Sequence, residues 1–343
     1  MWDETPKSVL VVQTAFIGDV VLVIPLVEAV KMLWPEAALD VLVRPPAQNL
    51  LETLPFIRDV RVYDKHGRDR GLFDFFRLIG HLRQQKYDLA FLPHRSFRSG
   101  LLTRLAGIPV RVGFDRGGGK LFHSHQVPYP ATFHEIPRNL QLLSPLGSIP
   151  QVDPPIVIPN EEDVAVVDGK LAPSNRNMAA MAPGSIWFSK RWPEAYFIAL
   201  GRKLAGEGFH VILIGGEADR ELGRHISAAI GVGCLNLCGE LSLRQSTEVL
   251  KRCSILITND SAPTHLGVAA GIRVLTLFGS TIPEFGFAPY GPQGKSLGVE
   301  LYCRPCTDHG RQNCPQKHFR CMRELTPERV FEEIQKMEPL ARS

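Results

Sequence analysis

Short, continuous apolar runs that alternate with helical stretches constrain the fold of this chain more than any other feature. Residues 8–12 form the first such run, of the kind found in strands buried on both faces of a parallel sheet. The same pattern recurs through both halves of the chain. It predicts further strands at residues 39–43, 60–63, 89–92, 110–114, 178–182, 210–214, 235–237, 255–258 and 274–278.

Segments of helical character lie between these predicted strands. They cover residues 19–33, 47–54, 72–85, 100–105, 193–205, 218–230, 243–252 and 262–270. Such alternation is typical of an α/β fold, in which helices cover both faces of a parallel sheet. We therefore expect two doubly wound, Rossmann-like domains with a cleft between them.

The domain limits are drawn from composition. Residues 147–160 contain four prolines and no helical pattern, which indicates a linker. We expect a first domain at residues 1–155 and a second at 156–325. Residues 326–343 are expected to form a last helix, with Thr326 as its N-cap, that packs back toward the first domain.

The overall composition is that of a globular protein, since the 343-residue chain is 44% hydrophobic and 22% charged. No apolar run reaches the length of a membrane span, because Pro25 and Glu28 interrupt the longest one. The acidic N-terminus lacks the pattern of a secretory signal. We expect a cytosolic protein, and peripheral contact with a membrane is left open.

The positive charge is unevenly distributed. Residues 1–150 carry 18 Lys+Arg and 14 Asp+Glu, whereas the remainder carries 21 of each. Residues 91–120 hold one acid, Asp115, and six basic side chains: Arg95, Arg98, Arg104, Arg111, Arg116 and Lys120. This pattern indicates either an anionic partner or a solvated basic face. No nucleic-acid-binding motif is present, so nucleic acid is not an expected partner.

Residues 258–265, with the sequence TNDSAPTH, follow a buried apolar run and open a small-residue segment. They predict a strand, a polar turn and a helix start, where free backbone N–H groups favour phosphate. Ser261 and Thr264 add hydroxyl donors, and Asp260 and His265 add groups that bond or titrate. The alternative is an Asn or Asp helix cap beside a structural histidine.

The first turn between strand and helix, residues 13–19, does not match the GxGxxG pattern and so disfavours a Rossmann dinucleotide site. Gly18 permits a tight turn or the close approach of a ligand. Asp19 stands at the predicted helix start. It is interpreted either as a helix cap or as a general base.

Two further loops follow predicted strands of the second half. In residues 182–193, Gly184 and Ser185 suit close phosphate approach, and Lys190 supplies a cation for a diphosphate. In residues 215–219, Glu217 is placed to accept hydrogen bonds from ribose hydroxyls. The alternative for Glu217 is an acid at a helix N-terminus, favoured by the helix dipole.

Four of the seven cysteines crowd into the tail: Cys303, Cys306, Cys314 and Cys321. The CxxC pair followed by two more cysteines resembles a structural zinc site, although the wider spacing is unusual. Reduced cysteines that pack or cap are the alternative, because disulfides are unexpected in a cytosolic chain. The segment is also basic and is expected to border the acceptor or a membrane surface.

Three motifs occur in a fixed order: Gly18-Asp19, Lys190-Arg191-Trp192-Pro193 and residues 259–266, NDSAPTHL. Together they make the chain similar to the bacterial ADP-heptose:lipopolysaccharide heptosyltransferases of glycosyltransferase family 9. The resemblance extends over about residues 7–337. The cysteine-bearing tail is most similar to the heptosyltransferase II branch.

The resemblance implies a GT-B architecture whose first domain binds the acceptor and whose second binds the nucleotide sugar. It implies an inverting transfer of heptose from ADP-heptose to the anionic inner core of lipopolysaccharide. No cofactor or catalytic metal is expected. The reaction would take place in the cytoplasm, with peripheral contact at the cytoplasmic face of the inner membrane.

The resemblance also assigns roles. Asp19 would be the catalytic base. Donor-binding residues would be Gly184, Ser185, Lys190, Glu217, Asp260, Ser261, Ala262 and His265. Charge rather than a family motif suggests the acceptor residues Arg95, Arg98, Arg116 and Lys120, next to Gly18. We predict that Asp19→Asn lowers kcat strongly and changes ADP affinity little.

Other functions fit the same pattern. The chain is alternatively a GT-B transferase or epimerase that uses another nucleotide sugar, or a heptosyltransferase for a different acceptor. A binding module without turnover is a further alternative, against which the presence of both Asp19 and Lys190 argues. Neither the acceptor hydroxyl nor the oligomeric state follows from the sequence.

Overall fold

The computed structural model describes residues 5–65, 67, 69–147, 149–171 and 177–337. The chain forms two compact units, Met1–Ile158 and Pro159–Ser343. Each unit is built on its own six-stranded parallel sheet. The roles expected of the two domains stay predictions.

The sheet of the first unit has the strand order β3-β2-β1-β4-β5-β6. Its strands are β1 (Ser8–Gln13), β2 (Ala38–Val43), β3 (Asp59–Val62), β4 (Leu89–Leu92), β5 (Val110–Phe114) and β6 (His125–Val127). Its helices are α1 (Ile17–Leu33), α2 (Gln48–Leu51), α3 (Leu72–Gln84), α4 (Phe97–Leu105) and α5 (Glu135–Leu140), with 3-10 turns at Gly118–Phe122 and Gln141–Leu146. The order reverses between β1 and β4, which is where doubly wound sheets bind ligands.

The sheet of the second unit repeats this topology, in the order β12-β11-β10-β7-β8-β9. Its strands are β7 (Met178–Ala182), β8 (His210–Leu213), β9 (Cys234–Asn236), β10 (Ile255–Asn259), β11 (Arg273–Phe278) and β12 (Gly294–Gly298). Its helices are α6 (Glu161–Lys170), α7 (Glu194–Gly206), α8 (Arg220–Ile230), α9 (Leu243–Lys251), α10 (Ala262–Ala269), α11 (Arg320–Arg323) and α12 (Pro327–Lys336), with 3-10 turns at Phe188–Lys190, Glu217–Asp219 and Pro283–Phe285. Here the order reverses between β7 and β10.

The apolar runs form the central strands because both faces of each sheet are covered. Every residue of β1 and of β10 is buried, so continuous apolar sequence is what these positions require. The strands that the sequence does not predict, β6 and β12, lie at the edges of the two sheets. Both are short and carry polar residues or glycine, which weakens the strand signal.

Two helix starts can be compared with their predictions from the sequence: one differs and one agrees. Helix α1 begins at Ile17 with Phe16 as N-cap, so Asp19 occupies the third helical position and is not the cap residue. At α12, the Thr326 side chain accepts a hydrogen bond from the Arg329 backbone N–H, which confirms the predicted cap.

Helix α12 packs against α7 within the second unit, and its buried residues join the core there. Its expected contact with the first domain stays a prediction. Among the residues described, no helix has both the length and the apolar character needed to cross a bilayer.

Candidate active site

Asp19 lies in the first turn of α1, directly after the carboxyl end of β1. One carboxylate oxygen, Oδ2, accepts a hydrogen bond from the Phe16 backbone N–H at 3.1 Å. The side chain is partly exposed, and the preceding Gly18 is buried in the same turn. Asp19 therefore satisfies the N–H of the N-cap residue with one oxygen and remains partly accessible, so this contact at the helix start is compatible with a role as a base.

The surroundings of Asp19 raise the pKa of its carboxyl group. Burial and, after it, the negative charge of Glu135 raise the pKa of Asp19 from 3.8 to about 7. The hydrogen bond from Phe16 and the charge of Arg95 act in the opposite direction and are weaker. A carboxyl group with a pKa near neutrality is suited to accept a proton at physiological pH.

Glu135 pairs with one member of a cluster of arginines that surrounds an aromatic ring. It is buried and pairs with the buried Arg138. Three guanidinium groups lie against the ring of Tyr129, with their Cζ atoms 4.5 Å (Arg95), 5.2 Å (Arg116) and 4.8 Å (Arg138) from its centroid. The structure thus brings two predicted acceptor residues, Arg95 and Arg116, onto the same side chain.

A second basic group lies beside Thr14, the residue that follows β1. The Lys65 Nζ donates to the Thr14 carbonyl at 3.1 Å, and the Thr14 hydroxyl lies 3.1 Å from His94 Nδ1. Burial and the charges of Lys65, Arg95 and Arg44 lower the pKa of His94 to about 4, so this histidine is neutral at pH 7.

Burial, followed by the charges of Arg44 and Arg98, lowers the pKa of Lys65. In the part of the chain that the structure describes, none of Arg44, Lys65, Arg95 and Arg98 has a carboxylate within ion-pair distance. The carboxyl edge of the first sheet is therefore a concentration of uncompensated positive charge. Lys120, the remaining predicted acceptor residue, is exposed in the 3-10 turn after β5.

In the second unit, Lys190 and Asp260 form a buried ion pair. The Lys190 Nζ lies 2.6 Å from Asp260 Oδ2, and the two side chains are 12% and 8% exposed. The same carboxylate oxygen accepts a hydrogen bond from the Thr281 hydroxyl at 2.6 Å. The structure therefore joins two residues that the sequence analysis assigned separately to the donor.

Asn259 holds the loops of this site together. Its Oδ1 accepts a hydrogen bond from the Trp192 backbone N–H at 2.9 Å. Its Nδ2 donates to the carbonyl oxygens of Pro183 at 2.8 Å and Gly184 at 3.3 Å. One buried amide at the end of β10 thus fixes both ends of the loop that carries Lys190.

Helix α10 begins at this point without a side-chain cap. Ser261 is the N-cap residue, but its hydroxyl donates to the Asn259 carbonyl at 3.2 Å. The backbone N–H of Ala262 stands in the first turn, and Pro263 has no N–H to satisfy. His265 is buried in the same helix, with its ring centroid 6.5 Å from that of Phe287. An uncapped helix N-terminus beside a lysine is suited to an anionic ligand.

Gly184 lies directly against the Asp219 carboxylate. A Cβ at this position would lie 2.1 Å from Asp219 Oδ1, so a side chain here would require that carboxylate to move. Ser185 is used within the loop: its hydroxyl accepts from the Trp187 N–H at 3.3 Å, and its carbonyl accepts from Arg191 Nε at 2.7 Å. Arg191 therefore braces the loop.

Glu217, another predicted donor residue, lies at the surface of the second unit. The Glu217 carboxylate is 74% exposed and accepts two hydrogen bonds, of 2.8 and 2.6 Å, from Arg220.

The four tail cysteines are free thiols, and burial raises the pKa of Cys321 to about 11. Within the described residues, no three His, Cys, Asp or Glu side chains are grouped as a metal site would need. The zinc and packing interpretations of the tail cysteines both stay predictions.

Several residues of these sites were not assigned from the sequence. Asn259, Thr281 and Glu135 each act through a partner that is distant in the chain, and only Asn259 stood within a motif. Lys65 and His94 both follow predicted strands. Polar residues just after strands were a signal that could have found these last two.

Two six-stranded parallel sheets of this strand order, each with polar side chains gathered at its carboxyl edge, are the architecture of the GT-B fold class. The sequence profile of glycosyltransferase family 9 (heptosyltransferase) matches residues 75–317. The chain therefore belongs to glycosyltransferase family 9.

Individual relatives agree with this membership. The chain is 27% identical to lipopolysaccharide heptosyltransferase 2 of Salmonella typhimurium, over 95% of this chain and 97% of the relative. The structure of E. coli ADP-heptose lps heptosyltransferase II matches with a TM-score of 0.79 and 25% identity, over 96% and 98% of the two chains. The structure of E. coli heptosyltransferase WaaC with ADP-2-deoxy-2-fluoro heptose matches in fold, with a TM-score of 0.73, 21% identity and 96% and 99% coverage. The predicted family, its heptosyltransferase II resemblance and the GT-B fold class are confirmed.

Proposed function

We propose that this enzyme transfers heptose from ADP-heptose to the inner core of lipopolysaccharide. The names of the relatives at 95% coverage support the reaction, and the fold neighbour with an ADP-heptose analogue supports the donor. The observation that carries the proposal is Asp19, a partly exposed carboxyl group whose pKa is about 7, at the basic edge of the first sheet.

The proposed chemistry is a single displacement with inversion. Asp19 removes the proton from an acceptor hydroxyl while that oxygen forms a bond to the anomeric carbon of heptose. The bond between the anomeric carbon and the diphosphate oxygen breaks, and ADP leaves with the electron pair. A positioned base of suitable pKa accelerates such a reaction by about 10²–10⁴-fold.

The donor is assigned to the second unit. Negative charge develops on the leaving diphosphate, and the ammonium group of Lys190 together with the N–H groups at the start of α10 would stabilise it. Asp260 positions Lys190 through their 2.6 Å contact. Gly184, Ser185, Ser261 and Ala262 would line the diphosphate, while Glu217 would contact the adenosine and His265 would support the donor loop.

The acceptor is assigned to the first unit. Arg95, Arg98, Arg116 and Lys120 would bind its phosphate or carboxylate groups, together with Lys65. The charge pattern supports this assignment, because the three cations whose charges act on His94 (Arg44, Lys65 and Arg95) lack carboxylate partners in the described structure, as does Arg98 beside Lys65. The cytoplasmic location and the absence of a metal requirement stay predictions, and activity in the presence of a chelator tests the second.

The test is ADP release from purified protein given ADP-heptose, with and without a heptose-deficient lipopolysaccharide core. Release that depends on the acceptor, and that is lost in Asp19→Asn while ADP still binds, is expected. A parallel titration with UDP controls for the nucleotide. Tight ADP binding without release would overturn the proposed acceptor or sugar, and tighter binding of UDP than of ADP would overturn the donor.

A further inference from the structure

Helix α3 presents an unusual outward surface. Its inward positions, Phe75, Ile79 and Leu82, are buried in the core of the first unit. Its first two turns also expose large apolar side chains: Leu72 is 78%, Phe73 is 79% and Phe76 is 60% exposed. Single exposed apolar residues are ordinary, but three adjoining ones on one helix indicate a contact surface.

The apolar surface continues onto the neighbouring elements. Helix α3 contacts α4, and α4 contacts the 3-10 turn Gly118–Phe122. Phe97, at the start of α4, is 51% exposed and lies edge-on to Phe122, with 4.9 Å between ring centroids. Leu121 in the same turn is 71% exposed. We call Leu72, Phe73, Phe76, Phe97 and Leu121 the α3–α4 surface.

Exposed cations border this surface and outnumber the acids beside it. Arg70, Arg104 and Lys120 are exposed at its margins. On α3 itself, Arg77 pairs with Asp74 at 3.0 Å and with Asp69 at 3.4 Å. The remaining charge is therefore positive, which complements an anionic surface.

The proposed acceptor residues contact the same elements that carry the α3–α4 surface. The Arg98 guanidinium lies 5.1 Å from the ring centroid of Phe75, which is the buried neighbour of Phe76 on α3. Lys120 belongs to both the surface margin and the acceptor group. A surface of this kind next to an acceptor site fits an acceptor that is itself anchored in lipid.

We propose that the α3–α4 surface binds the surface of an anionic lipid bilayer, with Leu72, Phe73 and Phe76 below the headgroups and the flanking cations at headgroup level. The proposal rests on the proposed function, in which the acceptor is a glycolipid. Exposed aromatic and leucine side chains beside Lys and Arg are the combination that holds a helix in the membrane interface.

The test uses the full-length protein and sedimentation with vesicles of phosphatidylcholine alone or mixed with phosphatidylglycerol. We expect binding to the anionic vesicles that weakens at high salt, and a partition coefficient at least about 100-fold lower in Leu72→Ser/Phe73→Ser/Phe76→Ser. Met32→Ser/Val232→Ser removes exposed apolar side chains elsewhere and is the matched control. Circular dichroism and thermal unfolding confirm that both variants fold.

Turnover separates this proposal from the proposed function. With a delipidated core oligosaccharide as acceptor, the triple variant is expected to retain wild-type turnover, whereas with vesicle-embedded acceptor its turnover falls. If the wild type turned over neither acceptor, the proposed function would be overturned, and the sedimentation result alone would decide whether the α3–α4 surface binds membranes. Equal vesicle binding by the wild type and the triple variant would overturn the proposal that the α3–α4 surface binds membranes. The proposal would also be overturned if the wild type bound no vesicles and formed a dimer that the triple substitution dissociates.

Discussion

Replacing Asp19 by Asn should make the protein more stable and less active. Burial and Glu135 raise the pKa of Asp19 from 3.8 to about 7 in the folded state. At about 1.36 kcal/mol per pKa unit, this difference corresponds to about 4 kcal/mol of folding free energy, an upper limit for a partly exposed side chain. Asn keeps an oxygen that accepts the hydrogen bond from the Phe16 N–H, so the cap is retained.

The sign of the effect follows from proton binding. Between about pH 4 and pH 7, the folded protein binds the Asp19 proton and the unfolded chain has released it. The free energy of unfolding of the wild type therefore falls as the pH rises through this range, and the loss is complete above pH 7. The variant lacks this group, so its stability advantage should grow from near zero at pH 4 to as much as about 4 kcal/mol at pH 8.

Urea unfolding of both proteins at pH 4, 6 and 8 measures this difference, and ADP release measures activity. The kcat of the variant is expected to fall by about 10²–10⁴-fold. The wild-type profile of kcat/KM should rise with an apparent pKa near 7, and the variant should lack this rise. A stability difference independent of pH, combined with an unchanged rate profile, would refute both the raised pKa and its catalytic use.

Three further predictions address the contacts around these sites. Glu135→Gln removes the second-largest cause of the raised Asp19 pKa, so the rise in kcat/KM should move to lower pH; an unmoved profile would show that Glu135 has no influence. Lys190→Met leaves the Asp260 carboxylate buried without its cation and should lower the free energy of unfolding in urea by about 3–5 kcal/mol. The double variant Lys190→Met/Asp260→Asn should recover most of that free energy, whereas strictly additive losses from the two substitutions would contradict the pairing. Asn259→Ala removes three hydrogen bonds and should lower the free energy of unfolding by about 2–4 kcal/mol. It should also weaken ADP binding measured by calorimetry, and an unchanged ADP affinity would show that Asn259 does not support the donor site.

Much of the fold could be predicted because its signals are local. Continuous apolar runs predicted all four central strands of each sheet, since burial on both faces favours apolar residues at most of their positions. The edge strands β6 and β12 were missed because their sequences, HQV and GKSLG, carry polar residues or glycine and form no apolar run. The start of α1 was placed two residues late, because Phe16 is not a residue type that signals a cap.

By itself, the sequence determined which residues follow each strand, and therefore that Asp19, Lys190 and Asp260 stand at carboxyl ends of parallel sheets. Only the tertiary structure decided what they contact. Lys190 and Asp260 are 70 positions apart and form one buried pair, and the pKa of Asp19 is raised by burial and, after it, by Glu135, 116 positions away. The reason is that strand and helix periodicity depends on neighbours along the chain, whereas burial and charge act through space.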